Sequence, residues 1–262
     1  MNKERLYCLL IELTNRKWLS LIIKKYTQSK WSRCVIPFYQ RYFQIDLSDF
    51  YCPQNGYQSL HDFFIRDIKE GVRPIASDIG TVVSPVDGII EDFGRIDKNH
   101  YIYAKEKPYA LTDLLQISDG IHKFIGGFYI VIYLSPSHYH KIHCPVDGRI
   151  VRSQTLGSKS YPVNHWGLKY GKTPLSHNYR VVTQIQSDSN HSIILAKIGA
   201  MFINTITVTN TKMQMKKGEE LGYFSFGSTI ILLFEAESFS ASSTIYQGKS
   251  VEMGQALGIV QN

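Results

Sequence analysis

From residue 81 onward the sequence consists of short runs rich in β-branched and aromatic residues. They include "TVVSPVDG", "IIEDFGRI", "HYIYAKE", "FYIVIYLSP", "GRIVRSQTL", "YRVVTQIQS", "SIILAKIGAM", "INTITVT", "ELGYFSFGSTIILLFE" and "GQALGIV". Gly, Pro, Asn and Asp turns separate them, which predicts a mostly antiparallel β domain of sandwich or barrel type. One or two helical turns fit "ALTDLLQIS", residues 110–118. The tetrapeptide PVDG occurs twice, at Pro85–Gly88 and Pro145–Gly148, so a strand-to-turn unit is used twice. Pro is excluded from a central ladder, Gly tolerates the positive φ of a tight turn, and Asp suits an Asx turn.

The chain ahead of this β-rich part is different. Residues 1–45 carry nine Lys and Arg against Glu4 and Glu12, a surplus of +7 that equals the net charge of the whole chain. Residues 46–262 hold 20 basic and 20 acidic groups. A surplus confined to one end favours contact with an anionic partner over a generally basic nucleic-acid-binding fold. The same segment has apolar residues at helical spacing: Leu6, Leu9, Leu10 and Leu13, then Leu19, Ile22, Ile23 and Tyr26. Trp31, Val35, Phe38, Tyr39, Tyr42 and Phe43 follow, interrupted by Pro37. Basic residues, Trp and Tyr beside an apolar stripe suit an interfacial helix on anionic lipid. The stripe serves equally well as a cap on the protein's own core. Ser59 and Asp62 can cap a further short helix, closed by Gly71 and Pro74. The expectation is an α+β chain in which a basic, helical, membrane-associating segment (1–70) sits on a β-rich catalytic domain (71–262).

No apolar run reaches the roughly 18 residues of a spanning helix, and the apolar pieces near the start are too short and charge-broken for a cleaved signal peptide. Cys8, Cys34, Cys52 and Cys144 form no CxxC pair. They fit free, mostly buried thiols in a reducing compartment.

Two stretches carry candidate chemistry. "LSPSHYHKIHCPVDG" holds His138, His140 and His143, and imidazole can bind a metal, move a proton or fill a turn. His138 and His140 would share one face of a strand, and such a pair with an Asp elsewhere is a recognisable zinc-peptidase arrangement. In "GYFSFGSTIILLFE", Gly227–Ser228–Thr229 stands directly before a long β-branched run. There it is either a glycine bulge or a bond whose bare carbonyl the next hydroxyl can attack. Such an attack converts amide to ester and needs a base, most simply a His oriented by a carboxylate.

"SPVDG", "YLSPSHYHKIHCPVDG", "GYFSFGST" and "VEMGQALG", in this order and spacing, together resemble the phosphatidylserine decarboxylase family. "SLHDFFIRDIKEGVRPI" and "IGAMFINTI" are similar to weaker family segments. The resemblance implies a lyase made as a zymogen that cuts itself between Gly227 and Ser228. The products would be a β chain (1–227) and an α chain (228–262) headed by a covalent pyruvoyl cofactor made from Ser228. It implies Asp87, His143 and Ser228 as the self-processing triad and His140 as the acid that returns a proton to the substrate carbon. Asp147 is then structural and His138 a turn or supporting residue. The implied reaction is decarboxylation of phosphatidylserine to phosphatidylethanolamine. The implied partner is an anionic bilayer bound peripherally through residues 1–45, on the cytoplasmic face of the inner membrane in a bacterium. A homodimer is a further partner to test, and no metal or nucleic acid is required.

Two departures and three alternatives accompany this. Tyr179 stands where the family pattern has Glu, and Met201, Phe202 and Asn204 replace smaller residues, which bears on the pocket. Soluble relatives act on free amino acids, so another amino-acid-like substrate remains open. A zinc peptidase and an inactive membrane-associated homologue are the remaining readings.

Overall fold

The computed structural model describes residues 17–117, 120–163, 167–168, 173–200, 205–225 and 228–261. An open eight-stranded sheet runs in the spatial order Gln214–Met215, Gly148–Leu156, Arg180–Ser187, Ser192–Gly199, Ser228–Phe234, Phe128–Leu134, Gly88–Arg95, Ser250–Val251. Two three-stranded sheets accompany it, Ile206–Val208/Glu220–Phe224/Lys141–His143 and Thr81–Val83/Ala256–Val260/Phe239–Ala241. The named strand pairs are antiparallel, and these sheets stay open instead of closing into a barrel. The α+β, antiparallel expectation holds in its sandwich-like form.

The strand Ser228–Phe234 lies at the centre and is buried at every position. Ile230, Leu232 and Phe234 join Ile132, Leu195, Phe224 and Leu257 in the core beneath the small sheets. Ile231 and Leu233 face the opposite way, against Val131, Leu114 and Leu175. Both faces are covered, which is why this strand reads as a continuous apolar run and not as an alternation. Each fully buried Ile or Leu contributes about 1.5–3 kcal/mol relative to exposure.

The two PVDG segments form matching corners. In each, a three-residue strand (Thr81–Val83, Lys141–His143) bends through Pro-Val-Asp into a long strand beginning at Gly88 or Gly148. The corners clasp each other, Val83 N–H donating to Pro145 O (2.9 Å) and His143 N–H to Pro85 O (2.8 Å). Each leans on a second matching pair. "VEMGQALG" (251–258) pairs with the first corner through Val251↔Gly88, and "MKKGEELG" (215–222) with the second through Met215↔Gly148. Asp87 accepts the Met253 N–H (2.7 Å), and Asp147 the Lys217 N–H (2.9 Å). The glycines serve a purpose other than the expected positive φ. A Cβ on Gly88 would meet Ile132 Cγ2 at 2.6 Å and one on Gly148 would meet Gln186 O at 2.3 Å, so close strand approach excludes side chains there.

The helical layer comprises Lys17–Gln28, a 3-10 stretch Lys30–Val35, Ile36–Tyr42 and Leu60–Phe64. Pro37 falls in the first turn of its helix, where its missing N–H costs nothing. Ser59 does cap, accepting the Asp62 N–H at 3.1 Å. That helix stops at Phe64, well before Gly71, because the following backbone bonds a distant segment: Tyr51 N–H to Asp67 O (2.8 Å) and Lys69 N–H to Asp49 O (2.9 Å). The apolar stripe divides. Ile36, Tyr39 and Phe43 pack with Ile45, Leu60 and Phe63, whereas Leu21, Ile22, Tyr26, Trp31, Phe38 and Tyr42 are exposed. Leu6–Leu13 and Cys8 lie outside the described residues. Cys34, Cys52 and Cys144 are free thiols, but Cys34 and Cys52 are exposed, so mostly buried thiols was a wrong expectation.

Candidate active site

The strand Glu220–Phe224 pairs with Lys141–His143, and the chain then turns into the central strand, where Ser228 lies between Leu134 and Gly199. Ser228 is fully buried, and among the described residues its Oγ has no hydrogen-bond partner. Thr229 Oγ1 and His140 Nε2 are in the same condition. An unsatisfied buried polar atom costs about 1–3 kcal/mol, so each of these atoms is a departure from ordinary packing. Gly227 lies outside the described residues, as do Met201, Phe202 and Asn204.

His140 is anchored from both sides. Its Nδ1–H donates to His138 O (2.9 Å), its carbonyl accepts the Phe224 N–H (3.0 Å), and its ring lies 3.9 Å from that of Phe64. Burial, with the Arg66 guanidinium nearby, holds its pKa well below the ordinary histidine value. The ring is neutral and Nε2 carries a bare lone pair. His138 holds the turn, its Nδ1 accepting the Ser135 N–H at 2.9 Å.

His143 donates Nδ1–H to Gly218 O (2.7 Å), which leaves Nε2 to accept the Tyr139 O–H (3.1 Å). Burial lowers its pKa, while the Gly218 carbonyl and the charges of Glu220 and Asp87 work the other way. Asp87 is buried and takes its hydrogen bonds from Arg73, at 2.9 and 3.2 Å, and from Met253 N–H. Asp87 and His143 thus meet through charge and the clasped corners while their hydrogen bonds go to other partners.

Several neighbours were not singled out from sequence. Arg73 bridges Asp87 and Asp49. Arg66, 4.2 Å over the Phe50 ring, donates to the carbonyls of Ser137 and His138 and so fixes the turn that carries His140. His61 Nε2 lies 3.4 Å from Ser225 Oγ, just ahead of the candidate cleavage point. All three belong to "SLHDFFIRDIKEGVRPI", whose unusual density of charge and aromatics was the available signal. Asn178 and Arg180, beside the divergent Tyr179, are structural: Asn178 Nδ2 binds Gly199 O (2.8 Å), and Arg180 binds the carbonyls of Leu114 and Asp113.

The central strand of this open antiparallel α+β fold thus begins at a buried serine, and two histidines whose pKa is lowered by burial stand on the strand Lys141–His143 and the turn before it. The sequence profile of phosphatidylserine decarboxylase matches residues 60–259. The phosphatidylserine decarboxylase proenzyme of Anoxybacillus flavithermus is 45% identical over 255 residues, 97% of this chain and 96% of that one. That of Bacillus mycoides is 44% identical over 255 residues, 97% of each. The chain belongs to the phosphatidylserine decarboxylase family, a family of lyases, and the zinc-peptidase reading of His138 and His140 falls away.

Proposed function

We propose that this protein decarboxylates phosphatidylserine to phosphatidylethanolamine, releasing carbon dioxide, on a pyruvoyl group formed from Ser228 when the 227/228 bond breaks. The observation that carries this reading is the Ser228 hydroxyl, fully buried and, among the described residues, without a partner on a strand buried at every position. Such a residue fits a reacting group better than a packing one. A pyruvoyl group supplies an electrophilic ketone that accepts the electrons left as carbon dioxide departs, a capacity ordinary side chains lack.

In the precursor, His143 is the base toward Ser228. Its Nδ1–H is fixed on Gly218 O, so Nε2 is the accepting nitrogen, and burial keeps the ring neutral and ready to accept. Tyr139 must release that nitrogen first. The Asp87 charge favours the resulting imidazolium, with Arg73 and Met253 N–H holding the carboxylate in place. In turnover, His140 delivers the proton from Nε2. It gains that proton as the anionic substrate arrives and offsets the cost of charging a buried ring.

The helical layer is the proposed membrane contact. Trp31, Phe38 and Tyr42 are 83%, 69% and 70% exposed, beside Lys25, Lys30, Arg33 and Arg41, which suits an interfacial position on anionic lipid. Among the described residues no helix is long and apolar enough to cross a membrane. In a bacterium the contact would be with the cytoplasmic face of the inner membrane.

The test is a denaturing gel with intact-mass analysis and a carbon dioxide assay on phosphatidylserine vesicles. Expected are fragments 1–227 and 228–262, the second blocked to Edman chemistry, together with gas release. A single uncut chain, or a cut elsewhere, overturns the proposal.

A further inference from the structure

A cavity of about 510 Å³ opens between the strands Gly148–Leu156, Arg180–Ser187 and Ser192–Gly199 and the segment 206–213. That is within the range of small-molecule sites. Its described lining includes Lys197, Arg152 and Lys212 and no acidic residue. Lys212 is exposed and paired with Glu219 at 2.9 Å, but Lys197 is only 3% exposed. A lysine in such a place is uncommon without a charged partner. The hydrogen bond recorded for it is to Thr183 Oγ1 (2.5 Å), and Thr183 Oγ1 is in turn 3.3 Å from Ser153 Oγ. Both hydroxyls also line the cavity. Val151, Val208 and Met213 add apolar surface that is 43%, 42% and 53% exposed. A polar, cationic floor with an apolar rim fits an amphiphile whose anionic group points inward.

The sheet register places Lys197 on the same face as Ser228. Lys197 lies opposite Ile230 and Gly199 opposite Ser228, so Leu195, Lys197 and Gly199 share a face with Leu232, Ile230 and Ser228. Diagonal neighbours of this kind are roughly 7–8 Å apart. Between Lys197 and Ser228 along that row, Gly199 contributes no side chain.

We propose that this cavity is the phospholipid subsite, in which Lys197, with Thr183 and Ser153, binds the glycerophosphate portion of phosphatidylserine and the serine headgroup runs along the sheet face to residue 228. The assignment rests on the decarboxylase reading above. Burial supports it by pushing the Lys197 ammonium down to about 7. The other titratable groups facing this region are Tyr179, Arg152, Lys212 and Cys144, and burial pushes the Cys144 thiol up to about 12, so it stays neutral. The empty cavity therefore avoids a full buried charge, and an arriving phosphate draws a proton onto Lys197. Above neutrality, binding takes up one proton and weakens as pH rises.

The probe is dihexanoyl-phosphatidylethanolamine, which has the glycerophosphate but no carboxylate to lose, titrated calorimetrically at pH 6.5 and 8.5 in buffers of different ionisation enthalpy. The processed wild-type enzyme should take up close to one proton at pH 8.5 and bind about tenfold less tightly there than at pH 6.5. Lys197→Met, an apolar replacement of similar length, should lose at least tenfold in affinity at pH 6.5, together with the proton uptake and the pH dependence. Glycerol 3-phosphate should compete at least tenfold better than inorganic phosphate. Equal competition means a generic phosphate site and overturns the assignment, as does wild-type affinity in Lys197→Met or binding without proton uptake. If processed wild type binds the probe in this way yet releases no carbon dioxide from phosphatidylserine, the decarboxylase reading fails while the subsite stands.

Discussion

At Asp87 and at Asp147 the backbone makes the same bend, and each carboxylate accepts one N–H from its matching glycine-containing segment. The surroundings differ. Asp87 is 5% exposed and gripped by Arg73, whereas Asp147 is half-buried and, among the described residues, has no guanidinium on it. On the strand leading into each bend, Val83 occupies in the first corner the place His143 holds in the second, and Ser84 matches Cys144. The proposed processing pair draws its carboxylate from one corner and its imidazole from the other, and the reciprocal Val83–Pro145 and His143–Pro85 bonds set their relative position. A duplicated backbone supplies the frame, and a few unmatched side chains supply the proposed chemistry.

Substitutions at matched positions can break this comparison. The largest effect is expected at 143. His143→Ala should leave the precursor uncut, while Val83→Ala should still be cut and lose about 1–3 kcal/mol of stability from the small cavity. Cleavage followed by mass spectrometry, with urea unfolding of uncut chains, separates the two. Next come the carboxylates. Asp87→Asn should slow cutting on the order of 10²-fold or more, because the charge that favours the His143 imidazolium is lost, and it leaves the Arg73 charge short of a partner. Asp147→Asn should cut within about twofold of wild type, since an amide oxygen still accepts the Lys217 N–H. Equal slowing in both variants would mean that the two corners are functionally alike. The smallest effect is expected from Cys144→Ser. Ser84 Oγ already donates to Val86 O at 2.6 Å where Cys144 Sγ approaches Val146 O at 3.2 Å. The exchange should therefore change stability by less than about 1 kcal/mol, and a loss above about 3 kcal/mol would show that the corners do not share a frame.

Lys197 contributes a pH dependence of its own. Its pKa falls from the ordinary lysine value to about 7 on folding, so between these values the unfolded chain binds more protons and stability rises with pH. Lys197→Met should flatten that rise in urea midpoints measured from pH 7 to 10. An unchanged slope would place its origin in another group.

The β texture and the doubled corner were legible because each is written in adjacent residues, whereas Ser228 stood out only through four separated segments read in one order. Local chemistry also gave the Ser59 cap, while the end of that helix was hidden because it depends on pairing with residues 49–51, brought in by the fold. Arg73 was illegible as the Asp87 partner for the same reason, and Tyr139 as the occupant of the His143 nitrogen. The second repeat, "MKKGEELG" against "VEMGQALG", shares little beyond two glycines and a leucine, and becomes plain only once each is seen beside its corner. The apolar stripe at the start could not be resolved from periodicity alone, because one flank packs inward and the other faces out.

The position of Ser228–Phe234 also orders events in time. A ribosome makes the chain from its N-terminus, so Phe128–Leu134 and Ser192–Gly199, which flank this strand, are synthesised before the strand that joins them. Until it arrives, the nascent sheet is two halves with bare facing edges, a state that invites pairing with other chains. The keystone is laid last, so the proposed scissile bond would meet the proposed histidines only when the arch is closed. A cut made there then leaves residues 228–234 hydrogen-bonded on both sides, and the two pieces can part only by unfolding.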